Sequence, residues 1–166
     1  MTEIERIARE MEQAHAGHPW HGPSRAEVLA DVSVEEAARR PSANGHSIWA
    51  LALHMRVWTR EVARRLREGN PREPAEGDWP SPPKRLSEQA WRAELAALED
   101  AHRDVVVAIQ ATPPARLDER CGTSDDAAVG SGATFRVMLH GLAQHDAYHT
   151  GQISLLKRLY RDGEAS

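Results

Sequence analysis

Four stretches of this chain repeat apolar residues every three or four positions, and the segments between them are broken by proline and glycine. That pattern admits amphipathic helices packed side by side and little else. The first stretch covers residues 2–16, with Ile4, Ile7, Ala8, Met11 and Ala14 on one side of charged neighbours. Gly17, Pro19, Gly22 and Pro23 end it. The second carries Ile48, Leu51, His54, Met55, Trp58, Val62 and Leu66, and stops at Gly69-Asn70-Pro71. The third runs through Leu86, Trp91, Leu95, Leu98, Val105 or Val106, and Ile109 to Pro113-Pro114. The fourth, from about 133 to 161, holds Phe135, Met138, Leu139, Leu142, Ile153, Leu156 and Leu159; at 1.5 Å per residue it is roughly 43 Å long. Ser24 and Ser33 read as caps of two minor helices inside the first connection. The only β-branched run, Val105-Val106-Val107, lies within a helical period. The fold class is therefore all-α, a four-helix bundle, and the 166 residues form one domain over 1–166.

Connection length sets the order of the helices. Residues 70–84 contain Pro71, Pro74, Pro80, Pro82 and Pro83, half of the ten prolines in the chain. Such a segment cannot be helical, and extended it reaches on the order of 45–50 Å, enough to return along the whole second helix. Long connections also separate the first helix from the second and the third from the fourth. The expected topology is up-down-down-up, with the second and third helices parallel.

Charge and cysteine usage remove several function classes. The formal net charge is −4, so a basic nucleic-acid-binding surface is not expected. Arg56, Arg60, Arg64 and Arg67 form a stripe on the second helix that reads as solvated or paired with acidic helices. A single cysteine, Cys121, cannot form an internal disulfide, which suits a reducing compartment. The N-terminus is charged where a signal peptide needs an apolar run, and no stretch approaches the roughly 20 apolar residues of a membrane span. A cytoplasmic location without membrane or nucleic-acid partners is the expectation.

The nine histidines carry the functional question. His145 and His149 are four apart on the fourth helix, so their rings share a face one turn apart. Spacing alone is weak, since about 0.5 such pair arises by chance in this composition. Position adds force. Both histidines fall on the seam through Phe135, Met138, Leu142, Ile153 and Leu156, where a buried imidazole without a partner costs roughly 1–3 kcal/mol. His54 sits likewise among Leu51, Trp58 and Val62 on the second helix. Three inward imidazoles at one level would bind one divalent ion and leave a coordination position open.

Around these positions the strings Gly45-His46-Ser47-Ile48-Trp49 and Leu139-His140-Gly141-Leu142-Ala143-Gln144-His145-Asp146-Ala147-Tyr148-His149-Thr150-Gly151-Gln152-Ile153 resemble the DinB/YfiT-like superfamily over residues 20–160. The resemblance implies an up-down-down-up bundle, often dimeric, with a divalent metal on three histidines matching His54, His145 and His149. It also implies metal-dependent hydrolases, or transferases and isomerases that use a low-molecular-weight thiol such as bacillithiol or mycothiol. The ion expected is zinc or nickel, with manganese or iron behind them. Trp58, Tyr148 and Gln152 are candidate pocket residues, with Tyr148 and Gln152 able to orient a water or substrate. Gly141 and Gly151, each costly inside a helix, are expected to mark close helix packing, with room for a ligand above the metal as the alternative. A non-catalytic, metal-stabilised stress or dimerisation module is the alternative to a small-molecule enzyme.

Other histidines fit less well. Glu12-x-x-His15 and Glu99-x-x-His102 mimic a di-iron carboxylate site, but the fourth stretch has no glutamate near the histidine pair to complete it. His102 is expected in the core, bordering the cavity at most. His15, His18 and His21 are expected on a surface loop. Asp146 is expected to point away from the His145 face, and Trp20, Trp49, Trp79 and Trp91 to anchor core or loops.

Overall fold

The computed structural model of the protein describes residues 1–122, 129–130 and 132–164. Its α-helices are α1 (Glu3–Ala16), α2 (Arg25–Leu29), α3 (Val34–Ala38), α4 (Ile48–Glu68), α5 (Glu88–Gln110) and α6 (Phe135–Glu164), with a 3₁₀ turn at Pro114–Asp118. The four long helices coincide with the four apolar stripes. Local chemistry starts them: Thr2, Ser24 and Ser33 form full capping boxes with Glu5, Glu27 and Glu36. Ser47 and Ser87 cap α4 and α5 through side-chain bonds to Ala50 and Ala90. Gly69 ends α4 in the left-handed region, φ 71°, where a side chain would be strained.

Cross-helix contacts fix the directions. Trp49 meets Trp91 at 5.1 Å, Arg56 Nε donates to Glu94 at 2.7 Å, and Arg67 pairs with Asp104, so α4 and α5 run parallel. Glu3 meets Arg136 and Glu10 meets His140, making α1 and α6 parallel to each other. Thr2 and Ile4 face Gln110 and Thr112, which sets α1 antiparallel to α5. His54 meets His145 while Val62 faces Met138 across one cavity, so α4 and α6 are antiparallel. This is the up-down-down-up order. The 70–84 strap makes the return that a parallel α4–α5 pair demands, and among the described residues the only β-type pairing is one bridge, Arg120 with Thr134.

The apolar core is divided. One cluster joins Ile7, Met11, Leu66, Ile109, Phe135 and Leu139 at one end of the bundle. The other joins Trp49, Met55, Trp91, Ile153, Leu156 and the minor helices α2 and α3. Between them lies a belt of buried polar side chains: Arg25, His54, His102, Asp146, His149 and Thr150. Apolar burial at roughly 25 cal/mol per Å² supplies the fold's stability at the two ends, and the belt is where stability is spent on chemistry.

The arginine stripe is paired with acidic side chains, as expected, but not all of it is outer surface: Arg56 is buried on Glu94 and Glu76, while Arg64 and Arg67 pair with Glu61, Glu68 and Asp104. In the connection after α5, Pro113-Pro114 opens the 3₁₀ turn that buries Leu117. Cys121 follows it in the same connection as an unpaired thiol, buried, whose pKa is pushed up by that burial. Among the described residues no helix is long and apolar enough to cross a membrane.

Candidate metal centre

The antiparallel crossing of α4 and α6 brings three imidazoles together in the polar belt. His54 Nε2 is 2.8 Å from His145 Nε2, and His149 Nε2 is 3.1 Å from the same atom. Among the described residues, His54, His145 and His149 form the one group of three ligating side chains, their donor atoms all within 4.8 Å of one another. Such a group could hold a metal ion.

The outward nitrogens decide whether it fits one. His54 Nδ1 lies 2.7 Å from the Asp78 carbonyl, which only accepts, so that nitrogen carries the proton. His149 Nδ1 donates in the same way to Gln152 Oε1 at 2.7 Å. Both Nε2 atoms then present lone pairs inward. A neutral His145 has at most one Nε2 proton to share between them, so at least one contact sets lone pair against lone pair. A proton does not resolve this readily. Burial is the first cause that lowers the pKa of all three rings, and His145, pressed further by His149 and His54, falls to about 3. A divalent cation at the common centre satisfies all three lone pairs, so the residues present fit a metal.

The proline-rich strap supports the site from outside. Trp79 lies flat on the His54 ring at 3.9 Å, and His46 stacks on the other face of Trp79 at 3.6 Å. Asp78 gives its carbonyl to His54 and its carboxylate to Trp58 Nε1 at 2.6 Å. Beside the histidines opens a cavity of about 440 Å³ between α4 and α6. Trp58, Val62, Met138 and Leu142 form its apolar walls, with Tyr148 at 65% exposure on its rim. A Cβ added at Gly141 would meet nothing within 4 Å, so this position borders open space and is not a site of close helix packing. The same holds at Gly151.

Trp58 and Tyr148 thus line the cavity, as the sequence suggests. Gln152 stands behind His149 as its hydrogen-bond acceptor and is not among the lining residues. His145 is half-buried at the cavity edge while Asp146 is buried, so the seam at this level passes through Asp146. Asp146 meets Arg25 at 2.5 Å; Arg25 also donates to His15 Nδ1, and His15 Nε2 donates to Glu99 at 2.7 Å. His15 is therefore no loop residue: it lies in the last turn of α1, its ring tilted at 3.9 Å against that of buried His102. His102, depressed to about 3 by burial and by neighbouring His15, does not line the cavity. Trp20 is fully exposed and anchors nothing. Asp78, Trp79 and Arg65 are the site residues the periodicity reading passes over. The signal available for the first two was an Asp-Trp pair inside an otherwise proline-rich connection.

No curated protein matches the chain. In three dimensions it is similar to the crystal structure of a DinB-like protein, YjoA, from Bacillus subtilis, with a TM-score of 0.65, 16% identity, and coverage of 93% of this chain and 92% of that one. At that identity the likeness concerns the fold. The sequence model of the DinB superfamily matches residues 24–153, a span that contains α2 to α5, all three histidines and the strap. On that match, the chain belongs to the DinB superfamily.

Proposed function

We propose that the protein binds one divalent metal ion through His54, His145 and His149 and acts as an enzyme on a small molecule held in the adjoining cavity. One observation carries this reading: the cavity of about 440 Å³ is lined by the three histidines themselves. A purely structural metal site is closed by protein ligands, whereas a catalytic one keeps a position open to substrate. When bound, a divalent ion supplies Lewis acidity that favours the ionised form of a water or thiol beside it. The reading therefore covers a metal-dependent hydrolase or a thiol-dependent transferase, with zinc or nickel preferred to manganese or iron.

The chain's own groups do the rest. Asp78 and Gln152 hold the His54 and His149 protons outward and fix the ring directions. Trp58, Val62, Met138 and Leu142 exclude water from one side of a bound molecule. We place the activity in the cytoplasm and in a homodimer. Val137, Tyr148, Leu155 and Leu159, all at least half exposed, fall on one side of α6 and supply an apolar face for the second copy.

The test is a cobalt-substituted protein titrated with azide, cyanide and a small thiol while its visible spectrum is followed. At least one of the three should shift the spectrum saturably. A spectrum unmoved by all of them would replace the enzyme with the metal-stabilised module.

A further inference from the structure

The cavity has two ends, and only one of them is the histidine cluster. Arg65 lies on the same α4 face two turns beyond Trp58 and lines the other end. The Trp58 ring spans the distance between them. It stands 6.4 Å from the His54 ring and 5.4 Å from the Arg65 guanidinium carbon, so the two ends are at most about 12 Å apart. The walls between are mostly apolar, with the Asp78 carboxylate on Trp58 near the histidine end.

Arg65 is nearly buried, at 2% exposure, and its pairing is unusual for a purely structural arginine. Its Nε donates to Glu61 Oε1 at 2.8 Å and its Nη2 to the Arg72 carbonyl. Glu61, however, is already held through both oxygens by Arg64, at 2.6 and 2.8 Å. Two guanidiniums thus share one buried carboxylate, and the remaining counter-charge of Arg64, Glu68, is on the solvent side at 54% exposure. These four charges balance, and the Asp78 carboxylate also lines the cavity at the histidine end, so what favours an anion is where the Arg65 guanidinium stands. Arg65 Nη1 lies 3.7 Å from where a Cβ on Gly130 would stand, and Gly130 is itself a wall residue. A guanidinium lining a mostly apolar cavity is a selective receptor for a carboxylate or similar anionic oxygen group.

From this arrangement we infer that the site takes an elongated, anionic small molecule: an apolar body, a metal-binding atom at the histidine end, and a carboxylate-like group read by Arg65. The inference rests on the metal-binding reading above and adds the substrate class to it. Gly141 and the apolar walls accommodate the body, and a chain of about six carbons, roughly 8 Å long at roughly 1.3 Å advance per bond, falls within the upper bound on the separation.

The experiment uses the cobalt-loaded full chain and four thiols, followed by cobalt absorption. They form two pairs, 6-mercaptohexanoate with 6-mercaptohexanol and 4-mercaptobutanoate with 4-mercaptobutanol, the shorter acid closing no five- or six-membered chelate on cobalt. The long acid should bind about tenfold more tightly than the long alcohol. The short pair, unable to reach Arg65, should show a ratio near 1. In Arg65→Gln the long-pair ratio should fall toward 1 with the alcohol's affinity unchanged, and Arg65→Lys should retain part of the preference. Should Arg65→Gln not fold, the two wild-type pairs decide alone. Equal ratios for long and short pairs, or no binding of either long thiol, would overturn the inference while leaving metal binding intact. Failure of the chain to take up cobalt would instead refute the metal-binding reading.

Discussion

At the residue scale, the site is defined by where protons and charges are placed in the polar belt. Asp78 is the decisive neighbour, because its carbonyl fixes the His54 tautomer and its carboxylate pins Trp58. Neither role is visible in a periodicity of apolar residues, which reports which face is buried and nothing about which backbone carbonyl will meet an imidazole. The histidines themselves were legible, since His54, His145 and His149 interrupt apolar stripes at one level. His145 and Asp146 show the limit of that reasoning: two adjacent helical positions 100° apart both border the interior, and which of them sits deeper depends on Arg25 from a distant minor helix. That pair makes a sharp prediction. Asp146→Ala leaves the Arg25 guanidinium buried without a counter-charge, so urea unfolding should show a loss of about 3–5 kcal/mol. The Arg25→Met, Asp146→Leu double variant should recover most of it, because desolvating neither charge removes the penalty. A loss under about 1 kcal/mol in the single variant would mean the pair is solvated.

At the element scale, serine caps, the glycine stop and the apolar stripes place all four long helices, and the length of the proline-rich connection gives their order. The interior of that connection was not legible. Prolines announce that residues 70–84 are extended, but they carry no record of what an extended chain lies against. It lies against His54: Trp79 stacks on the ring and is itself covered by His46. The strap therefore acts as the outer wall of the site as well as the link between parallel helices. Trp79→Ala should weaken metal affinity about tenfold, within the range seen when outer-shell support is removed, with little change in the melting temperature of the metal-free protein. Unchanged zinc affinity in a competition titration with a chelator dye would reduce the strap to a linker.

At the scale of the whole molecule, the bundle is two apolar cores separated by a polar layer, and this division explains why the fold can carry an open site. Each end is closed by well-packed side chains, so the middle can hold imidazoles and a cavity without the helices separating. The belt also has two compartments. One holds the three histidines and faces the cavity; the other, His15, Arg25, Glu99 and Asp146, ties α1, α2, α5 and α6 together. Each E-x-x-H string gives one residue to this second compartment, His15 from the first and Glu99 from the second, paired with each other in the chain that runs through Arg25 to Asp146. The central claim is that His54, His145 and His149 act together as the ligands of one divalent ion. Metal analysis of protein purified without an affinity tag tests it most directly, on the wild type and on His54→Ala, His145→Ala and His149→Ala variants whose folding is verified by circular dichroism. The account predicts about one divalent ion per chain in the wild type and almost none in each folded variant; equal metal content across all four proteins, or none in the wild type after zinc and nickel are supplied, would contradict it.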